Sequence, residues 1–143
     1  MKLDRLTSSM TIIAFLVICV LPPTAHARAT KLIEPAPVTT NCVLTLEDMK
    51  KAITAGGAVR GWTVVDQTPG NIELKYVKGA YKHVLSVNVQ YTKNTYSVTY
   101  KDSTNLNYKV KRNGVREIHP RPIGWMKNLS IDIQTKTDVV CNK

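Results

Sequence analysis

Asp102, Ser103, Asn105 and His119 are the one polar set in the chain whose residue types suit chemistry. An aspartate, a serine and a histidine are the groups acyl transfer uses. The serine attacks, the histidine takes its proton, and the carboxylate orients the histidine. That chemistry needs the histidine within hydrogen-bond reach of the serine, which spacing alone does not establish. No GxSxG elbow presents the serine either. The same residue types cap turns and helix starts by satisfying backbone groups locally, and that role is favoured. Asp102, Ser103, Asn105 and His119 are therefore taken as candidate binding residues, and no catalytic residue is assigned. The rival reading is a small hydrolase using Ser103 and His119.

Other chemistries find less support. A metal site needs three or four ligands at workable spacing. His83 and His119 are distant in sequence and lack companions, so no metal and no cofactor is expected. Trp62, Tyr81, Tyr91, Tyr96, Tyr100, Tyr108 and Trp125 offer an aromatic cleft in principle. Aromatics at alternating strand positions are more often core. Tyr81 and Tyr108 are the two expected at the surface.

The elements that position these groups are read from hydrophobic period. Leu85, Val87, Val89 and Tyr91 alternate with polar residues, and so do Tyr96, Val98 and Tyr100 after the Lys93-Asn94 break. This period-two pattern predicts a hairpin, apolar on one face and wet on the other. Trp62–Gln67 and Ile72–Lys78 read as two further strands, joined by the Thr68-Pro69-Gly70-Asn71 turn. Thr45 caps a first helix whose apolar face is Leu46, Met49, Ala52 and Ile53, and Gly56-Gly57 is expected to end it. Residues 102–120 are irregular, with Asn113-Gly114 a turn and 109–116 either a short fifth strand or a loop. A second helix is expected over about Pro122–Lys136, with Ile123, Met126, Leu129 and Ile133 as its stripe. The expected fold is α+β: a two-layer sandwich of a four-stranded antiparallel sheet with two helices on one face, in the order α-β-β-β-β-α.

The beginning of the chain addresses it. Lys2 and Arg5 precede an apolar run over 12–21, followed by Pro22-Pro23 and Ala25-His26-Ala27. This is the pattern of a signal peptide cleaved after Ala27. The run falls short of the ~20 residues that span a bilayer, and no transmembrane segment is expected in the mature chain. Ile18 before Cys19 fits a lipoprotein signal poorly, so lipidation ranks second to ordinary cleavage. The organisation is then 1–27 signal peptide, 28–41 extended N-terminal leader with Pro35 and Pro37, and 42–143 a single domain.

Cleavage removes Cys19 and leaves Cys42 and Cys141, an even pair in an exported chain and hence an expected disulfide. It also leaves 18 basic against 9 acidic residues, a net charge of about +9. Such a charge draws a small domain toward polyanions. The lysines are dispersed, with only Lys109, Lys111 and Arg112 clustered, so there is no nucleic-acid signature.

Gly61-Trp62, the run Tyr96-Ser97-Val98-Thr99-Tyr100-Lys101-Asp102-Ser103-Thr104-Asn105-Leu106-Asn107-Tyr108, and Ile118-His119 with Trp125, Asn128 and Leu129 carry a resemblance. They resemble a family of small, uncharacterised bacterial cell-envelope proteins, often lipoproteins, with a YSxxYxDSxNLxY-like segment. The likeness runs over roughly Thr45 to Ile133. It departs at Arg121-Pro122-Ile123, where that family tends to have a Tyr-Asn pair. The resemblance implies an envelope location and no particular activity. The expectation is an exported protein of the periplasm or cell envelope with a non-catalytic binding or structural role. Its expected partners are an envelope protein or an anionic glycan or lipid surface. An alternative is a secreted inhibitor of an acidic enzyme.

Overall fold

Four long strands follow one another and pair antiparallel with their neighbours. They are β3 (Thr63–Thr68), β4 (Asn71–Lys78), β5 (His83–Tyr91) and β6 (Thr95–Thr104). The structure is a computed structural model, and it describes residues 28–143. The expected signal peptide, its expected cleavage site and Cys19 lie outside the described residues. The fold is α+β with antiparallel sheets and two helices, but the main sheet has five strands where four were expected. The fifth, β2 (Val38–Thr39), pairs with β6 at the sheet's edge.

A second, three-stranded sheet joins β1 (Thr30–Lys31), β8 (Arg116–Ile118) and β7 (Lys109–Val110) in the order β1-β8-β7. The open choice over residues 109–116 thus resolves into two short strands around the Asn113-Gly114 turn. The 28–41 segment is extended as expected, yet it is built into both sheets. Leu32 is buried and its N–H donates to the Arg116 carbonyl at 2.8 Å. The Glu34 carboxylate accepts the Tyr100 N–H at 2.9 Å and pairs with Arg116 at 3.2 Å. Two-residue strands have no readable period, which is why prolines and polarity dominated the reading of this segment.

Alternation divides the main sheet into two faces. Ile72, Leu74, Leu85, Val87, Val89, Tyr96 and Val98 are buried in one cluster with Met49 and Ile53 from the first helix and Met126, Leu129 and Ile133 from the second. Both helices therefore cover the same face. Glu73, Lys75, Asn88, Ser97 and Thr99 lie on the opposite face, where Lys101 reaches Glu73 at 2.6 Å. Register shifts at Lys101: Val87 pairs with Tyr100 and Ser86 with Asp102. This bulge carries β6 on through Asp102–Thr104, which were expected to be irregular.

Helix α1 (Leu46–Ala58) starts as expected, with the Thr45 hydroxyl accepting the Asp48 N–H at 3.0 Å. It does not end at Gly56-Gly57. Both glycines are buried inside the helix. A Cβ on Gly56 would stand 2.7 Å from the Ile133 Cα and 2.8 Å from its backbone nitrogen. The left-handed glycine that releases the chain is Gly61, with φ +81°. Helix α2 (Pro120–Cys141) is longer than expected, with the buried Thr137 continuing its stripe past Lys136. The Thr137 hydroxyl donates to the Gln134 carbonyl at 2.8 Å, so this buried polar group is satisfied. Cys141 is the last residue of α2, where it was expected beyond the helix. It bonds Cys42 with Cα atoms 5.6 Å apart, as the cysteine count suggested. No helix among the described residues is long and apolar enough to cross a membrane.

Two expectations follow from this packing. Gly56→Ala drives a methyl into backbone and should destabilise by about 1–3 kcal/mol, as overpacking does. A Cβ on Gly124, also in a helix, meets nothing within 4 Å, so Gly124→Ala should stabilise by about 0.5–1 kcal/mol. Urea unfolding of the two variants checks both signs. The second expectation concerns alkali. The Tyr96 hydroxyl donates to the Ser130 carbonyl at 2.7 Å, and burial is the main cause that pushes its pKa up from 10.0 to about 12. A pKa raised on folding means the neutral phenol is the stabilised form. Its contribution is intact below pH 10 and is lost as pH rises through 12. The urea midpoint should fall more steeply from pH 10 to 12 in the native chain than in Tyr96→Phe, and equal slopes would refute the assignment.

Candidate functional site

The four candidate residues divide into two pairs. Asp102 is exposed and sits opposite Ser86 on the open face of the sheet. Ser103, one residue on, faces the helices and shares a 2.9 Å hydrogen bond with the Tyr100 hydroxyl. Tyr100 stacks on Tyr108 with centroids 4.4 Å apart, and burial raises its pKa. Tyr108 is accordingly half-buried, while Tyr81 is 84 % exposed, so one of the two expected surface aromatics is at the surface. His119 caps α2, accepting the Arg121 N–H on Nδ1 at 3.2 Å. No hydrogen bond joins Ser103 to His119 among the described residues. Asn105 and His119, by contrast, line one cavity.

That cavity forms where the sheet ends. Lys78, the last residue of β4, is register partner to His83, the first of β5. Two loops meet here, the 79–82 turn and the 105–108 loop after β6. Among the described residues four non-glycine residues have positive φ, and all lie in these loops: Ala80 (50°), Tyr81 (69°), Asn105 (56°) and Asn107 (55°). Asparagine tolerates this region, but alanine and tyrosine are strained there at a cost of about 1–3 kcal/mol each. Such strain persists only where surrounding bonds over-determine it. The Asn105 amide donates to the Lys82 carbonyl at 2.6 Å, and His83 Nδ1 donates to the Asn105 carbonyl at 2.9 Å. The His119 N–H donates to the Leu106 carbonyl at 2.8 Å, tying the second loop to α2.

The enclosed volume is about 110 Å³, lined by Lys78, His83, Asn105, Leu106, His119, Arg121 and Trp125. Four of the seven are basic and none is acidic. Neither Lys78 nor Arg121 has an ion-pair partner among the described residues. The basic cluster visible in the sequence behaves differently. Glu117 takes Lys111 at 2.5 Å and Lys109 at 3.2 Å, and the hydrogen bond from Lys111 is the main cause holding its carboxyl below the usual range. Part of the charge that looked available there is offset by one carboxylate, while Lys78 and Arg121, ordinary in the sequence, stand at the cavity with no carboxylate among the described residues paired to them.

The hydrogen bonds also assign the two rings. His119 Nδ1 accepts, so a neutral ring carries its proton on Nε2. His83 Nδ1 donates to a carbonyl, so its Nε2 is the acceptor when neutral and a second donor when protonated. Neither Nε2 has a protein partner among the described residues. The cavity thus gathers an ammonium, a guanidinium and imidazoles, the donor set that charge-assisted hydrogen bonds to an anion use. The helix start adds nothing, since Pro120 and Pro122 lack an N–H and that of Arg121 is already taken.

Sequence reasoning reached Asn105 and His119, weighed Trp125 as a cleft aromatic but favoured the core for it, and missed Lys78 and Arg121. It weighed His83 only as a metal ligand. Among the described residues no three His, Cys, Asp or Glu side chains are grouped to hold a metal ion. No family model, curated protein or solved structure matches the chain.

Proposed function

We propose that this is an exported bacterial envelope protein with a non-catalytic binding role, and that the cavity at the end of the sheet receives the anionic group of an envelope component. The observation that carries this reading is the pair Lys78 and Arg121, unpaired among the described residues, facing one cavity with His83 and His119 and no carboxylate. An excess of about nine positive charges draws polyanions to the whole surface, and a built cavity adds a place for one group to lodge. The Cys42–Cys141 bond suits an oxidising compartment. The envelope resemblance points the same way. Asn105 and His119 hold the cavity's two loops in place, while Asp102 and Ser103 belong to β6.

Titration with inorganic phosphate, followed by amide and histidine ring NMR signals, tests the reading. Shifts should saturate and concentrate on Lys78, His83, Asn105, His119 and Arg121. The double variant Lys78→Gln/Arg121→Gln should weaken binding at least tenfold, since a charged hydrogen bond is worth about 1.5–3 kcal/mol and 1.4 kcal/mol is tenfold. His119→Asn retains a capping side chain and separates loss of the ring from loss of the fold. Shifts that follow the dispersed lysines without saturating, or a double variant that binds as the native chain does, would refute the proposal.

A further inference from the structure

The cavity is too small to hold a whole ligand. Its volume of about 110 Å³ is well under the roughly 300 Å³ at which ordinary small-molecule pockets begin. It fits an anionic group, so the rest of the ligand must continue outside it. One neighbouring hollow shares two of its walls, Lys78 and Trp125. That hollow measures about 240 Å³ and is completed by Arg60, Trp62, Tyr76 and Asn128. We infer that the ligand is a saccharide bearing a carboxylate or phosphate, with the anionic group in the cavity and the adjoining sugar ring in this hollow. The inference rests on the anion-binding reading above and adds the class of molecule.

The lining carries the argument. Three aromatic rings form a connected shelf: Trp62 and Tyr76 have centroids 5.2 Å apart, and Tyr76 and Trp125 meet edge to face at 5.1 Å. Trp62 is buried beneath, 5 % exposed, and Tyr76 and Trp125 are half-buried. A sugar ring presents C–H groups on one face and hydroxyls around its rim. The shelf suits the first, and the Asn128 amide and the Lys78 ammonium suit the second, since each donates to a hydroxyl oxygen. Arg60 is held at the border by Asp132, Nε to Oδ2 2.6 Å. Among the described residues no Ala, Val, Leu, Ile or Met lines the hollow, so an acyl tail would have no aliphatic wall there to bury against. That composition favours a saccharide over a lipid.

Affinities of the disulfide-bonded protein for trigalacturonate, glucose 1-phosphate, maltotriose, acetate and inorganic phosphate test this. The Trp125 indole N–H signal serves as local reporter, because the chain has only two tryptophans. At least one anionic saccharide should bind tenfold or more tighter than its bare anion, acetate or phosphate, and should move the Trp125 signal. Which of the two does so identifies carboxylate or phosphate as the group. Maltotriose should bind far more weakly. Asn128 lines only the hollow, and Trp125→Ala removes the ring that the hollow shares with the cavity. Asn128→Ala and Trp125→Ala should each weaken the anionic saccharide at least several-fold, and Asn128→Ala should leave phosphate binding within twofold. Phosphate binding at the cavity with no gain from the sugar, or with Asn128→Ala without effect on the saccharide, would overturn this inference and leave the anion site standing. Failure of every anion to bind would overturn both. Tighter binding of adenosine monophosphate or a short-chain phosphatidic acid than of either saccharide would overturn the saccharide assignment.

Discussion

Gly56 lacks a side chain at a point where the two helices approach backbone to backbone. The space a Cβ would need is occupied by the Cα and nitrogen of Ile133. This close approach lays α1 and α2 side by side over a single face of the sheet, so that Met49 and Ile53 share a core with Met126, Leu129 and Ile133. Three further ties fix α2 along its length: the His119 N–H on Leu106, the Tyr96 hydroxyl on Ser130, and the Cys141 bond to Cys42. In the chain-entropy account a crosslink spanning 99 residues is worth up to ~4.7 kcal/mol. The helix is thereby aimed, and its first residues land on the end of the sheet where β4 turns into β5.

The cavity is a consequence of that aim. His119, Arg121 and Trp125 arrive from α2, Lys78 and His83 from facing strands, and Asn105 and Leu106 from the loop after β6. None of these segments makes a site alone. Asn105 bridges the loops through its side chain and its carbonyl, and the cost of its positive φ and of those at Ala80 and Tyr81 is borne where the loops meet. The strained loops stand beside the uncompensated positive charge of Lys78 and Arg121, and the bonds made by Asn105 fix the backbone around the cavity.

The parts that were legible in the sequence are those with a long repeat or a forced count. Alternation reveals β4, β5 and β6, Thr45 marks the start of α1, and the two cysteines beyond the expected signal peptide point to each other. What was not legible depends on distance in space. Strands β1 and β2 are two residues each and have no period. Gly56 reads as a helix terminator by composition, and only the approach of Ile133 shows it to be a packing glycine. The bulge at Lys101 is invisible to alternation, which alone ends β6 before Asp102. At the site, Asn105 and His119 stood out because their types suit turns and caps as well as chemistry. Lys78 and Arg121 look like any other basic residue. Their meaning comes from having no carboxylate partner among the described residues, whereas Lys109 and Lys111 share Glu117.

The account depends on one location being an anion site rather than a chance gathering of cations. Diffraction from crystals of the disulfide-bonded protein soaked in selenate, recorded at the selenium absorption edge, tests this most directly. The expected result is an anomalous peak bounded by Lys78, His83, His119 and Arg121, absent from crystals of Lys78→Gln/Arg121→Gln. Selenate found only beside scattered surface lysines, with none in the cavity, would contradict it.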